Sequence, residues 1–212
     1  MQFVKRFLKR YPHIRWALLV PVILLLFFLP EQLVVEHYTP TQIPLDGLIP
    51  FCPAFAVFYV LWYPMLAAAG ILLLLRNAGA FRRYLIFLTL AYGLSAVIYL
   101  LWPNGQDLRP DLSQPGNVFE AFLAGLYRAD TNTNVLPSLH VTGSMAILFG
   151  LWDEVSLRRS AVFPVAAVLA ALVIASTVLV KQHAVLDVLA GLVFSILLWP
   201  AVYLPRKRDK KE

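Results

Sequence analysis

The chain has 212 residues, 60% of them hydrophobic and only 14% charged, with a mean hydropathy of +0.72. A soluble fold cannot hide that much apolar surface, and a disordered chain needs the opposite composition. The net charge is +6, but the basic residues flank apolar runs, so they are read as topology signals and headgroup contacts and not as a nucleic-acid surface.

One transmembrane helix takes roughly 20 residues. The expectation is an all-α integral membrane bundle of six spans, a single domain over residues 1–212 with no separate soluble part. The single cysteine, Cys52, excludes an intramolecular disulfide and a cysteine-only metal cluster.

Six apolar segments follow in chain order. The first, 14–29, comes after Lys5, Arg6, Lys9 and Arg10 and so has the look of a signal peptide. No small-residue cleavage site follows it, because Phe27, Phe28, Leu29, Pro30 and Glu31 are wrong for one, and the segment is read as an uncleaved span. The second, 54–75, holds Pro64, where a kink is expected. The third covers 84–102, the fourth 135–152, the fifth 161–180 and the sixth 183–204.

With the N-terminus placed in the cytoplasm, fifteen of the 18 basic residues fall in inner segments; only Arg109, Arg128 and Lys181 fall outside. That asymmetry follows the positive-inside rule and puts both termini on the cytoplasmic side; the plasma (cytoplasmic) membrane is the expected location. Two outer loops are long. Residues 30–53 carry five prolines, which rules out a continuous helix. Residues 103–136 place Val118, Phe119, Phe122, Leu123 and Leu126 at helical spacing, which predicts a short amphipathic helix over 117–128 lying at the outer surface.

The residues able to do chemistry gather at the outer ends of the spans. His140 lies at the outer end of the fourth and His183 at that of the sixth, with Asp187 four residues on, one helical turn away. A carboxylate there can fix the imidazole tautomer and leave the other ring nitrogen as a nucleophile or base; the alternative is a purely structural pair. Pro137, Ser138 and His140 open a helix whose free N–H groups and dipole suit an anion, against the alternative that Ser138 merely caps it. Arg109 offers planar phosphate contact and Lys181 a second cation, though each also reads as an ordinary loop or boundary residue. Two histidines and a carboxylate can bind a divalent ion, but the neighbouring cations favour an anion; no metal and no cofactor are expected.

The order of these motifs resembles the type 2 phosphatidic acid phosphatase superfamily, the lipid phosphate phosphatases, whose motifs run K-x6-R-P, P-S-G-H and S-R-x5-H-x3-D. Arg109-Pro110 matches the end of the first. Pro137-Ser138-Leu139-His140 matches the second, with Leu139 for glycine, a form similar to the branch related to inositol phosphorylceramide synthases. Ser176, His183 and Asp187 match the third at full spacing. Trp102 stands at the first motif's lysine and Thr177 at the third motif's arginine.

The resemblance implies a phosphoryl-histidine on His183, oriented by Asp187. It gives His140 the protonation of the leaving alkoxide, and Arg109 and Ser138 the holding of phosphate oxygens. Lys181 stands near a missing cation, and Ser176 completes the phosphate-binding set. The implied activity is metal-independent hydrolysis of a lipid phosphate or pyrophosphate in the bilayer, on the extracytoplasmic side. Transfer of a phospho-headgroup to an alcohol is one alternative. A non-catalytic transporter or lipid-binding protein is the other, against which stands the scarcity of polar residues in the first three spans.

Overall fold

The computed structural model describes residues 2–33 and 37–204, and the basic cluster at 206–211 lies outside the described residues. Helix α1 (Gln2–Arg10) carries the basic start, and a 3-10 turn over Pro12–Leu18 leads into α2 (Leu19–Leu33). Helices α3 (Ala56–Arg76) and α4 (Ala78–Leu101) form an antiparallel pair broken only at Asn77, whose side chain accepts a bond from the Ala80 N–H and caps α4. The predicted outer helix is α5 (Val118–Ala129), capped by Asn117. Then come α6 (Leu139–Asp153), the short α7 (Val155–Arg158), α8 (Val162–Leu179) and α9 (Val185–Tyr203). Helix α3 runs unbroken through Pro64.

Among the described residues, five helical stretches are long and apolar enough to cross a membrane: Pro12–Pro30, Pro53–Arg76, Ala78–Leu101, Val162–Leu179 and Val185–Tyr203. The chain is therefore an all-α membrane bundle. The fourth predicted segment is the exception. Helix α6 has 15 residues, about 22 Å at 1.5 Å per residue, short of a ~30 Å hydrocarbon core. It stands at the centre, packed against α3, α4, α8 and α9. Ten of its residues are buried, including Thr142 and Ser144, whose hydroxyls bond back to the carbonyls of Leu139 and His140. Helix α2, by contrast, lies at the edge against α4, with Leu24, Leu25, Phe28 and Leu29 exposed.

Polar bonds close both ends of the bundle. At the end bearing the α3–α4 turn, Arg83 Nε meets Asp153 Oδ2 at 2.7 Å and Asn77 donates to Glu154. At the opposite end the two long loops are laced together. Two-residue strands β1 (Thr39–Pro40) and β2 (Asn104–Gly105) pair in parallel, and Gly105 also bridges Thr133. A Cβ at Gly105 would sit 2.6 Å from the Tyr38 ring and 2.9 Å from the Asn132 carbonyl, so only glycine admits this crossing. The buried Asn104 accepts from the N–H groups of Val135 and Leu136 and donates to the carbonyls of Trp102 and Leu136. Periodicity carries no signal for such pairs, and the sequence reading has plain loops here.

Candidate active site

The motif-bearing end is built where the N-termini of α6 and α9 meet. The Ser138 N–H donates to the Asp187 carbonyl at 3.1 Å, and the Tyr99 phenol donates to the Pro137 carbonyl at 2.6 Å. Pro137 lies outside α6, ahead of the Ser138 N-cap, and not in its first turn as the sequence reading has it. His140 is then the second residue of α6.

His183 is not on a helix either, which corrects the sequence-based picture of a His–Asp pair one helical turn apart. Helix α8 ends in a left-handed turn: Lys181 has φ 55°, its N–H donates to the Val178 carbonyl, and the Gln182 N–H returns to the Thr177 carbonyl. This is the Schellman arrangement, which satisfies carbonyls that a helix end leaves open. The His183 N–H also reaches the Thr177 carbonyl, so the spacing from Thr177 to His183 is the length of that turn. Asp187 sits three residues into α9's cap and its Oδ2 accepts from the Ala184 N–H at 2.7 Å. His183 Nδ1 lies 3.6 Å from the same oxygen, an ion-pair distance just beyond hydrogen-bond range.

The two imidazoles meet edge to face, with ring centroids 5.8 Å apart and planes at 60°. Both are buried, and His140 Nε2, His183 Nδ1 and Asp187 Oδ1 have no hydrogen-bond partner among the described residues. His140 is held by aromatic faces from α3: Tyr59 stacks on it at 4.0 Å and Trp62 lies at 4.3 Å. Trp62 gains this seat because residue 143 is glycine; a Cβ there would fall 2.6 Å from the indole. The cleft between the histidines is about 20 Å³, room for about one water. Its walls include Phe27, Asp130, Asn134 and Gln182.

Asp130, at the end of α5, escapes the motif-based reading. It accepts the Tyr59 phenol at 2.5 Å and Gln182 Nε2 at 3.4 Å. Burial pushes its carboxyl above the ordinary range, opposed by the Tyr59 bond and by the charges of His183 and Arg109.

The remaining predicted residues are placed differently. Arg109 packs on the Tyr127 ring at 4.5 Å and donates to the carbonyls of Tyr127, Asp130 and Thr131 and to Gln182 Oε1, so it organises the cleft wall from behind. The Lys181 ammonium points away from the histidines: it donates to the carbonyls of Asp46 and Ile49 at 2.9 and 2.7 Å, in the first long loop. Asp46 completes that anchor, its Oδ1 accepting the Val185 N–H at the start of α9. Ser138 Oγ accepts from the Val141 N–H as a helix cap, and Ser176 Oγ donates to the Val173 carbonyl of its own helix. Trp102 and Thr177, which the sequence reading sets at two cation positions of the motifs it resembles, bond to Thr39 Oγ1 and to the Ile174 carbonyl. Among the described residues no three His, Cys, Asp or Glu side chains form a cluster able to hold a metal ion.

The structure thus brings together His140, His183 and Asp187, and sets Ser138, Ser176 and Lys181 to holding the backbone that positions them. No curated protein and no solved structure matches the chain. A sequence model described as the PAP2 superfamily does match it, over residues 52–210. That stretch contains both imidazoles, the carboxylate beside His183 and every helix from α3 to α9, and the chain belongs to the PAP2 superfamily.

Proposed function

We propose that this protein is a metal-independent membrane phosphohydrolase that removes phosphate from a lipid phosphate or pyrophosphate through a phosphohistidine. The observation that carries the reading is the pairing of two buried imidazoles 5.8 Å apart, one beside a carboxylate and the other clamped by aromatic rings. His183 Nε2 attacks phosphorus as the bond to the lipid oxygen breaks, and His140 gives its proton to the leaving alkoxide. Asp187 steadies the cation that develops on His183, the 3.6 Å approach tightening to a hydrogen bond. Water then displaces His183 from phosphorus while His140 takes up its proton, which restores both rings and releases phosphate.

The cleft must widen to admit a phosphate, since it now holds about one water. In place of the family's missing cations, the donors near it are neutral or shared, Gln182 and Asn134 among its walls. That feature favours a second reading, transfer of the phosphoryl group to an alcohol: the Asp130 carboxylate in the same wall can accept an acceptor hydroxyl.

The charge asymmetry supports six spans with both termini cytoplasmic and the histidines at the extracytoplasmic face of the plasma membrane. Helix α6 then completes the sixth span inside a collar of longer helices, a single domain throughout.

The test is phosphate release from a panel of lipid phosphates and pyrophosphates, with acid-labile labelling of His183 by radioactive substrate. His183→Ala is expected to lose at least a thousandfold in rate and all of the label. Retention of a tenth of the rate, a barrier change of only ~1.4 kcal/mol, would end the nucleophile assignment. Label appearing in an added alcohol and not in inorganic phosphate would establish the transferase. Labelling of Ser113→Cys in a Cys52→Ala background from outside intact cells checks the topology.

A further inference from the structure

Helix α5 carries more apolar surface than the bundle covers. Leu123 is its one fully buried residue, packed on Ala56, Tyr59 and Val180, with Leu126 and Tyr127 half-buried beside it. Val118, Phe119 and Phe122 are 74%, 42% and 48% exposed. At 3.6 residues per turn these three fill an arc of about 100° that adjoins the buried face, and Glu120 and Arg128 lie on the opposite side. Glu120 is turned back on the helix start, where it accepts from the Gly116 N–H at 2.7 Å and the Asn117 amide at 2.8 Å.

The depth of the helix follows from its neighbours. It has 12 residues, about 18 Å, too short to cross a ~30 Å hydrocarbon core. It packs against the Pro53–Phe55 turn and the start of α3, where the membrane-crossing stretch Pro53–Arg76 begins. That level is the border between hydrocarbon and headgroups. Val57, in the first turn of the same span, is exposed there too, so the apolar face of α5 continues a surface that lipid already covers. A short helix with one apolar and one polar side lies in the plane of such a border.

The far end of α5 is the wall of the catalytic cleft. Asp130 follows directly on the helix and accepts the Tyr59 phenol, while the Tyr127 phenol donates to the Val180 carbonyl at 2.6 Å. Arg109 ties the carbonyls of Tyr127, Asp130 and Thr131 together. Residues 130–135 supply five of the eleven that line the cleft. A shift of α5 therefore moves that wall, and with one fully buried residue the helix has little grip on the bundle alone.

We propose that α5 is seated in the bilayer leaflet at the motif-bearing end, with Val118, Phe119 and Phe122 in the acyl border, and that this contact with lipid holds the cleft wall at 130–135 in place. The seat depends only on the exposed face and the depth of α5. Its effect on turnover rests on the phosphatase reading.

The seat is tested on the full chain in lipid vesicles, in a Cys52→Ala background. Val118→Cys, Phe122→Cys, Arg128→Cys and Ser113→Cys each carry an environment-sensitive fluorophore, and the lipid carries a nitroxide close to its headgroup. Quenching is expected to be at least threefold stronger at 118 and 122 than at 128 and 113. Equal quenching at all four sites would overturn the seat. So would shielding of 118 and 122 that disappears as the protein is diluted in lipid, which would mark a second copy as the occupant.

The hold on the cleft is tested with Val118→Gln/Phe122→Gln against the conservative Val118→Leu/Phe122→Leu. Amide hydrogen exchange over 123–135 is expected to quicken at least tenfold in the Gln pair, with α6 and α9 unchanged, and to stay at the wild-type rate in the Leu pair. Turnover of a water-soluble aryl phosphate, which does not depend on partition into the bilayer, is expected to fall at least fivefold in the Gln pair only. If α6 and α9 also open, Val118→Gln alone, at the most exposed of the three sites, decides. Unchanged exchange over 123–135 would refute the hold. Strong quenching and faster exchange without turnover of any phosphate by the wild type would refute the proposed reaction and support the seat; turnover with equal quenching would do the reverse.

Discussion

Tyr59 lies face to face with His140, ring centroids 4.0 Å apart and planes 29° from parallel. The same phenol donates to Asp130, so one side chain joins the imidazole of α6 to the end of the surface helix α5. A ring stacked at that distance restricts the imidazole to one plane, which matters because proton transfer needs a defined direction. Tyr59→Phe keeps the stack and should retain most of the rate. Tyr59→Ala removes it and should lower kcat tenfold or more with a smaller change in KM. Equal rates for the Phe and Ala variants would show that the stack has no part in positioning His140.

The acid role of His140 predicts a dependence on the leaving group. A lipid alkoxide needs a proton as its bond to phosphorus breaks, whereas an activated aryl oxide needs little. His140→Ala should therefore slow a lipid phosphate by a hundredfold or more while slowing an aryl phosphate much less. Equal losses on the two substrates, measured side by side, would refute the role.

Lys181 is expected to act through stability. Its left-handed backbone costs about 1–2 kcal/mol for a residue other than glycine. Two charge-assisted bonds to the carbonyls of Asp46 and Ile49, at about 1.5–3 kcal/mol each, outweigh that cost. Lys181→Ala keeps the strain and loses the bonds, so the thermal midpoint should fall by several degrees, with KM for the phosphate substrate little changed in the folded fraction. Lys181→Gly should recover part of the midpoint. A tenfold rise in KM at unchanged stability would return Lys181 to phosphate binding.

Asp130 sets a pH dependence. Its carboxyl is raised by burial above the ordinary value of 3.8, so the folded state holds the proton more tightly than the unfolded chain does. The associated stability is complete below the unfolded value and is lost as pH rises through the raised folded one. Between about pH 4 and neutrality the wild-type midpoint should therefore fall relative to that of Asp130→Asn, which cannot titrate there. Parallel curves for the two proteins, followed by intrinsic fluorescence in detergent, would contradict this.

The sequence by itself determined the membrane class, four of the five long helices to within a few residues, and the amphipathic helix α5, because these follow from apolar run length and from the 3.6-residue period; the remaining one, α4, begins at Ala78, six residues before the predicted start. It also marked His140, His183 and Asp187 through their spacing. Tertiary structure decided what that spacing means. The interval before His183 is a left-handed helix end, and Asp187 approaches His183 through a cap, where the sequence reading has one helical face. It also decided which polar groups serve the cleft. Lys181 and Asp46 are 135 residues apart in the chain, and Asp46 and Val185 are 139 apart. The aromatic seat of His140 comes from α3 and from a glycine at 143 that makes room for it. A local pattern reports which face of an element is apolar. It carries no information on which distant carbonyl, ring or carboxylate meets a given side chain, since packing alone brings them within the 3–4 Å over which those contacts act.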